Sequence, residues 1–210
     1  MSRYILNLIA QGEHQQLDFK FAINDSKKIA RTLAAFANTD GGRLLIGVKD
    51  NGAIAGVNSD EEYYMVEAGA RLHCKPEVKF EVSKWTVDDK TVLEIIVAKS
   101  NKRPHTAPGK ENKPIVYVRV KDENIIAHPI LAKAWVKQRR SKGISICCTE
   151  RHNYVIQLLT EHGKQTFVKL CKLAFMSERE MEKILIDLLA LNLLAVENAE
   201  PDSFFEANIQ

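Results

Sequence analysis

The most informative hydrophobic pattern in the chain lies at residues 36–57, where an apolar helix end is followed by a glycine pair at 41–42 and an apolar run at 44–48. Glycine often ends helices because it tolerates positive φ, and a short apolar run predicts a strand buried on both faces. Asn51-Gly52 then predicts a tight hairpin turn, since both central residues of a type I′ turn need positive φ. Asp50 is therefore expected at a strand end, fixed beside the turn and exposed to solvent.

Similar patterns predict helices and strands throughout residues 1–142. The strand before the first long helix should place Leu17, Phe19 and Phe21 in a core, with Asp18 and Lys20 on an opposite polar face. The other expected elements are helices at residues 3–10, 60–74 and 129–135, a helix capped by Ser26, and strands at residues 78–87, 91–98 and 115–120. Together they predict an α+β domain in which helices flank a mixed β-sheet.

A second domain is predicted at residues 150–210, after a linker at residues 143–149. Its elements are three helices, at residues 152–162, at 166–174 and from 177 onward, and then two short strands within residues 194–207. Ser177 and Glu180 form a capping box at the start of the third helix. This order predicts a small winged-helix domain. Because the third helix has more acidic than basic residues, two interpretations stay open: contact with DNA, or protein–protein contact such as homodimerisation.

Composition and charge narrow the class of protein. The chain has 210 residues, 45% of them hydrophobic and 27% charged, as is usual for a globular protein. No apolar stretch is long enough to cross a membrane, and the cysteines lack metal-site spacing, so we expect a cytoplasmic protein with reduced thiols. Residues 1–142 have 24 Lys/Arg and 17 Asp/Glu, whereas residues 143–210 have 6 and 10. Attraction to polyanions is therefore expected mainly in the N-terminal part.

Basic residues outside the predicted core are candidates for contact with nucleic acid, because arginine and lysine make many of the contacts to phosphate oxygens. The candidates are Arg103, His105, Lys110, Lys113, Arg119, Arg139 and Arg140. The first four belong to a polar loop at residues 99–114, and the last two follow the helix that contains Trp135. The alternative interpretation is that this loop and this helix end are only solvated.

Four segments together resemble the Schlafen AlbA-like family, over roughly residues 5–130. The segments are Glu13-x4-Asp18-Phe-Lys20, Ala35-Phe-Ala-Asn-Thr-x-Gly-Gly-x-Leu-Leu-Ile-Gly-Val-x-Asp50-Asn-Gly-x-Ile-x-Gly56, Arg103-Pro-His105 and Tyr117-Val-Arg119-Val. The family is described as DNA-binding and, in older classifications, as a divergent ATPase, and many bacterial members carry a C-terminal helix-turn-helix module. The resemblance therefore implies a nucleic-acid-binding protein, such as a transcriptional regulator, that binds DNA or RNA through its basic N-terminal domain.

The older ATPase description is not supported by the glycine pair at residues 41–42. A phosphate-binding P-loop ends in Gly-Lys-Ser/Thr, which places a lysine and a hydroxyl group on the nucleotide phosphates. Here Gly42 is followed by Arg43 and Leu44 instead. We therefore interpret the glycines as turn residues, and we expect neither ATP as a cofactor nor ATP hydrolysis.

The resemblance also implies an enzymatic alternative, a metal-dependent endoribonuclease. In the vertebrate Schlafen ribonucleases, three acidic residues surround a divalent metal. The matching positions here are Glu13, Asp18 and Asp50, with Lys20 as the motif lysine and Asp18 in place of the usual glutamate. Carboxylates suit Mg²⁺ or Mn²⁺, and such a metal can activate water for phosphodiester cleavage. The other interpretation is that Glu13 and Asp18 are surface acids paired with Lys20 and that Asp50 only begins a turn.

Overall fold

The computed structural model describes residues 2–139 and 146–208, which divide into two compact units, Met1–Ile126 and Ala127–Gln210. The second unit has a hydrophobic core of its own, and the first unit has two. In the part of the chain that the structure describes, no helix is both long enough and apolar enough to cross a membrane.

The first unit begins with three helices that alternate with two strands and ends in five further strands. Its helices are α1 (Ser2–Ile9), α2 (Ser26–Asn38) and α3 (Ser59–Ala68), the last continued by a π-helical turn at Gly69–His73. Its strands are β1 (Leu17–Lys20), β2 (Gly42–Ile46), β3 (Glu81–Val87), β4 (Lys90–Val97), β5 (Thr106–Pro108), β6 (Pro114–Val120) and β7 (Glu123–Ile126). A single 3-10 turn at Lys110–Asn112 separates β5 from β6.

Two sheets of the first unit enclose helix α2. Four strands form a mixed sheet in the order β1-β2-β4-β3, in which β1 and β2 are parallel and the other neighbours are antiparallel. Strands β5, β6 and β7 form a separate antiparallel sheet. Helix α2 contacts the mixed sheet as well as β5 and β6, while α1 packs on the opposite face of the mixed sheet. The predicted α+β architecture, with helices flanking a mixed sheet, is therefore confirmed.

The mixed sheet is buried on both faces, which changes the expected environment of β1. Leu17 and Phe19 pack in the core shared with α1, and so does Leu45 of β2, whereas Leu44 belongs to the core around α2. Because side chains alternate along a strand, Asp18 points toward α2 rather than toward α1. The sequence predicts a polar face there, but Asp18 is 3% exposed and pairs with Arg119 of β6.

The second unit contains four helices and three short strands within its described residues. The helices are α4 (Pro129–Gln138), α5 (Glu150–His162), α6 (Phe167–Ala174) and α7 (Glu178–Ala190), and the strands are β8 (Gln165–Thr166), β9 (Leu194–Glu197) and β10 (Phe204–Ala207). Strand β10 lies between β8 and β9, and both pairings are antiparallel. The core contains the inward faces of all four helices together with Phe205 of β10.

Helix α4 belongs to the second unit, although the sequence pattern predicts a first domain that extends to residue 142. The physical reason is the apolar side of α4, where Ile130 and Ala134 are buried in the second core. The division between units therefore lies at residues 126–127, before α4, and not in the predicted linker at residues 143–149. Four of those linker positions, 146–149, are described and carry no helix or strand.

Candidate nucleic-acid interface

Asp18 and Arg119, which the sequence assigns to a metal site and to nucleic acid, form a buried ion pair with each other. Asp18 Oδ1 lies 3.1 Å from Arg119 Nη2, and the two residues are 3% and 2% exposed. Arg119 also donates to the Leu17 carbonyl and to Asn124 Oδ1, and its guanidinium lies over the Phe36 ring. Burial keeps Arg119 away from any surface that could meet a phosphate group, so the structure gives it a structural role in place of the predicted contact.

Glu13 and Lys20 lie beside this ion pair, at the edge of the mixed sheet. Lys20 Nζ is 3.1 Å from Asp18 Oδ2 and 4.0 Å from Glu13 Oε1, and Glu13 accepts a 2.8 Å hydrogen bond from the Phe19 backbone N–H. Burial raises the pKa of Glu13, nearby Asp18 raises it further, and the Phe19 hydrogen bond opposes both effects. The charged groups at this edge therefore have partners within the protein, as expected if Lys20 pairs with Glu13 and Asp18.

A shared metal ion does not fit the three predicted ligands. Asp50 is exposed in the turn after β2, whereas the carboxylates of Glu13 and Asp18 both lie near Lys20 Nζ. No group of three His, Cys, Asp or Glu side chains within residues 2–139 and 146–208 is arranged to hold a metal ion. The Asp18 carboxylate also has a cationic neighbour at each oxygen, Arg119 at one and Lys20 at the other. The metal-dependent endoribonuclease thus stays a prediction from the resemblance, with no support from this geometry.

His105, another candidate contact, is 2% exposed and is fixed by four hydrogen bonds. Its backbone N–H donates to Asn38 Oδ1 and its carbonyl accepts from Asn38 Nδ2, both at 2.8 Å. His105 Nδ1 lies 2.8 Å from the Pro76 carbonyl oxygen, and Nε2 lies 2.7 Å from Ser100 Oγ. A carbonyl oxygen can only accept, so we assign the ring proton to Nδ1 and the acceptor role to Nε2. His105 is therefore a fixed part of the structure and does not reach outward.

A cleft of about 260 Å³ opens over this histidine, and we call it the His105 cleft. Lys79, Lys99 and Lys102 line it and are exposed, and buried His105 is also part of its lining. Lys99 Nζ lies 3.3 Å from Asp40 Oδ1, but both side chains are about half exposed, and surface pairs of this kind contribute little. Three exposed lysines therefore line the same cleft.

A second cleft, of about 340 Å³, is lined by residues close in sequence to those of the first, and we call it the Lys75 cleft. It is lined by Lys27, Lys75 and Thr106, whereas residues 77–79 and His105 line the His105 cleft. The backbones of Lys75 and Thr106 pair with each other within the Lys75 cleft, by hydrogen bonds of 2.8 and 3.0 Å. We call Lys27, Lys75, Lys79, Lys99 and Lys102 the cleft lysines.

The other predicted contacts in the basic loop differ in accessibility. Arg103 is half-buried, donates to the Asn38 carbonyl at 3.4 Å, and has its pKa lowered by burial. Lys110 and Lys113 are exposed, and Lys113 Nζ pairs with Glu111 at 2.8 Å. Lys110 and Lys113 are therefore the accessible cations among these three, whereas Arg103 helps to hold the loop against α2.

Arg139 is exposed just after α4, in the second unit, and Arg140 lies outside the described residues. This placement removes the predicted charge asymmetry. Residues 1–126 have 19 Lys/Arg and 17 Asp/Glu, and residues 127–210 have 11 and 10. Net charge therefore does not distinguish the units, and only local clusters such as the cleft lysines can direct a polyanion.

Sequence reasoning did not select Lys75, Lys79 or Asn38. Lys75 lies between the helix predicted at residues 60–74 and the strand predicted at residues 78–87, and Lys79 lies within that strand. No local pattern indicates that these lysines meet the loop at residues 99–114. Asn38 belongs to the Phe-Ala-Asn-Thr part of the resemblance, but its role becomes visible only from its hydrogen bonds to His105. A polar amide at the end of an otherwise apolar helix face was the available signal.

The geometry and the comparisons with known proteins together identify the family. A mixed sheet with helices on both faces defines the first unit as an α+β domain. Residues 13–128 match the family described as Schlafen, AlbA_2. Because this match covers more than half of the chain, the chain belongs to that family.

Two solved structures are similar to the chain at low identity. The DIP2311 protein of Corynebacterium diphtheriae has 21% identity and a TM-score of 0.48, with 76% of this chain and 34% of that chain covered. The N-terminal domain of a RecG-related protein of Nitrosomonas europaea, described as an ATP-dependent DNA helicase relative, has 20% identity and a TM-score of 0.43, with 60% and 95% covered. The chain thus spans about a third of the DIP2311 protein. Among curated proteins none matches it.

Proposed function

We propose that this protein binds nucleic acid through the cleft lysines of its first unit. The observation that carries the proposal is that five lysines, from α2, the segment before β3 and the loop after β4, line two clefts of the first unit. The side chains of Lys75, Lys79 and Lys102 form no ion pair within the described part of the chain. Membership of the Schlafen, AlbA_2 family supports the same conclusion.

Electrostatics explains why such a cluster suits a polyanion. Lysines gathered without matching acids repel one another, and an array of phosphate groups removes that repulsion while releasing condensed counterions. Contacts of this kind set the position of a protein on the nucleic acid and carry no sequence information. The predicted role as a transcriptional regulator therefore requires a further source of specificity.

The triple variant Lys75→Ala/Lys79→Ala/Lys102→Ala is expected to weaken binding to duplex DNA by at least about tenfold and to flatten its salt dependence. Each lost phosphate contact should reduce the slope of log affinity against log salt by about 0.9. Fluorescence anisotropy of a labelled duplex, recorded at several salt concentrations, measures both quantities. The same titration with RNA of the same sequence shows which nucleic acid is preferred.

A matched control removes the same charge from lysines that line neither cleft. Lys49, Lys84 and Lys121 are exposed, and their combined change to alanine should alter the salt slope much less than the cleft variant does. Equal losses in the two triple variants would show that only total charge matters and would contradict the assignment to the clefts.

We infer that the second unit is a winged-helix domain. Its elements follow the order α5, β8, α6, α7, β9 and β10, and the C-terminal hairpin β9-β10 pairs with the short strand β8 that follows the first of these helices. This order, with the hairpin as the wing, is typical of winged helices and supports the inference. In such domains the third helix, here α7, is the element that enters a DNA groove.

Helix α4 covers one side of α7, so we propose that α7 is not the main contact with nucleic acid. Lys133 pairs with Glu182, Lys137 pairs with Asp187, and Gln138 donates to carbonyl groups at the C-terminal end of α7. These contacts neutralise part of the acidic helix and occupy part of its surface. The role that we propose for the second unit is protein–protein contact, including homodimerisation.

The double variant Arg179→Ala/Lys183→Ala removes the two basic residues of α7. It is expected to alter duplex affinity by less than about threefold, because at most two phosphate contacts are lost and because Glu178 and Glu182 lie in the same helix. The measurement is the anisotropy titration used for the cleft variant. A loss larger than that of the cleft variant would instead assign the main contact to α7.

A further inference from the structure

The His105 cleft differs from a flat basic surface because buried residues take part in its lining. Ala37 and Val78 are apolar members of that lining, and buried His105 is a polar one. Pockets that enclose whole small-molecule ligands measure about 300–1,000 Å³, so a cleft of about 260 Å³ suits a smaller group.

The charges around the cleft favour a strongly anionic group. Lys79, Lys99 and Lys102 line it, and Glu77 is the carboxylate among its described lining residues. Glu77 Oε1 lies 3.5 Å from Arg71 Nε, but both side chains are more than half exposed, and surface pairs of this kind contribute little. Three lysines thus line the cleft against one glutamate.

The loop that carries Lys99 and Lys102 is held in place before any ligand arrives. The Ser100 backbone N–H donates to the Ala37 carbonyl at 2.8 Å, and Ser100 Oγ lies 2.7 Å from His105 Nε2. The Lys102 backbone N–H donates to Ser100 Oγ at 3.0 Å. Because these bonds tie the loop to α2 and to His105, binding costs less ordering entropy than it would in a free loop.

We propose that the His105 cleft binds the terminal phosphate of a nucleic-acid chain, that is, a phosphomonoester. The proposal rests on the proposed nucleic-acid-binding function and names the chemical group that the His105 cleft binds. A phosphomonoester carries about −1.5 to −2 charges at neutral pH and three acceptor oxygens, whereas a phosphate within the chain carries one charge. Three lysines therefore attract the chain end more strongly than the chain interior.

The test compares three single-stranded oligonucleotides of one sequence, with a 5′-phosphate, with a 3′-phosphate and with neither. The full-length protein is expected to bind one of the phosphorylated forms about tenfold or more tightly than the unphosphorylated form, as charge-assisted hydrogen bonds allow. The quantity that tests the proposal is this ratio of affinities. The absolute affinity for the unphosphorylated form tests the proposed function separately.

Lys79→Ala and Lys102→Ala are each expected to reduce the ratio to about threefold or less, since each removes a charge that faces the chain end. Lys110→Ala is the matched control, because Lys110 is exposed and lines neither cleft. This control should weaken all three oligonucleotides alike and leave the ratio unchanged. All three lysines are exposed, so loss of the fold is not expected to explain a change.

Each outcome decides between the two proposals. A ratio near one in the native protein, with the oligonucleotides still bound, would overturn the terminal-phosphate site and leave the proposed function standing. Binding of inorganic phosphate that is lost in Lys79→Ala and Lys102→Ala, without oligonucleotide binding, would support an isolated phosphate site and overturn nucleic-acid binding. Absence of both kinds of binding would overturn both proposals.

Discussion

Arg119→Ala is expected to lower the free energy of unfolding by about 3–5 kcal/mol, the usual cost of breaking a buried ion pair by removing one partner. The variant leaves the Asp18 carboxylate buried, with Lys20 Nζ at 3.1 Å as its remaining cation. It also removes the hydrogen bond to Asn124 and the guanidinium that lies over the Phe36 ring. Urea denaturation measures the change as a lower midpoint with an unchanged slope.

Two further variants separate the ion pair from general effects. Lys121→Ala changes an exposed residue close in sequence and should shift stability by no more than about 0.5 kcal/mol. The double variant Asp18→Asn/Arg119→Met leaves neither charge buried, so it should recover part of the loss of the single variant. A loss below about 1 kcal/mol in Arg119→Ala would contradict the structural role assigned to the pair.

Asn38→Ala is expected to lower the free energy of unfolding by about 3 kcal/mol, because buried backbone groups lose their partners and each unpaired group costs about 1–3 kcal/mol. The Asn38 side chain donates to the carbonyls of His105 and Tyr117 and accepts from the His105 N–H, all at 2.8 Å. Since these bonds hold His105 in the lining of its cleft, the preference for a terminal phosphate should fall as well. Denaturation and the oligonucleotide titration measure the two effects.

Asn101→Ala is the matched control for this change, because it removes the same side chain from an exposed position that lines the same cleft. We expect a stability change within about 0.5 kcal/mol for this variant. Equal losses of stability for Asn38→Ala and Asn101→Ala would show that the buried amide does not hold the cleft together.

Local elements were predictable from sequence wherever local physics decides them. The strands predicted at residues 78–87 and 91–98 leave residues 88–90 for the turn between β3 and β4, and Asp88 and Asp89 both have positive φ there. Ser177 caps α7 as predicted, with its side chain accepting from the Glu180 N–H. One cap was predicted one residue too late, since Asp25 rather than Ser26 accepts the first N–H groups of α2. Capping and turn preferences depend on neighbouring residues only, so the sequence contains them directly.

The candidate site was predictable only in part. Lys110 and Lys113 are exposed, as expected for the loop predicted at residues 99–114, but part of that segment forms β5 and a 3-10 turn. Sequence reasoning treated His105 and Arg119 as surface contacts, because charged and polar residues usually lie outside cores. Both are buried, since each has partners from distant segments that satisfy its polar atoms.

The sequence by itself determined the family, the α+β class and the approximate bounds of most elements, because periodicity, turn residues and a long motif are all local properties of the chain. Only the tertiary structure decided which charges are buried and which face solvent. Asp18 pairs with Arg119, which lies 101 positions away in the sequence. Lys79 and Lys102 line one cleft only because the fold brings together the segments before β3 and after β4. The energy of a charge depends on what surrounds it in space, and no local pattern contains that information.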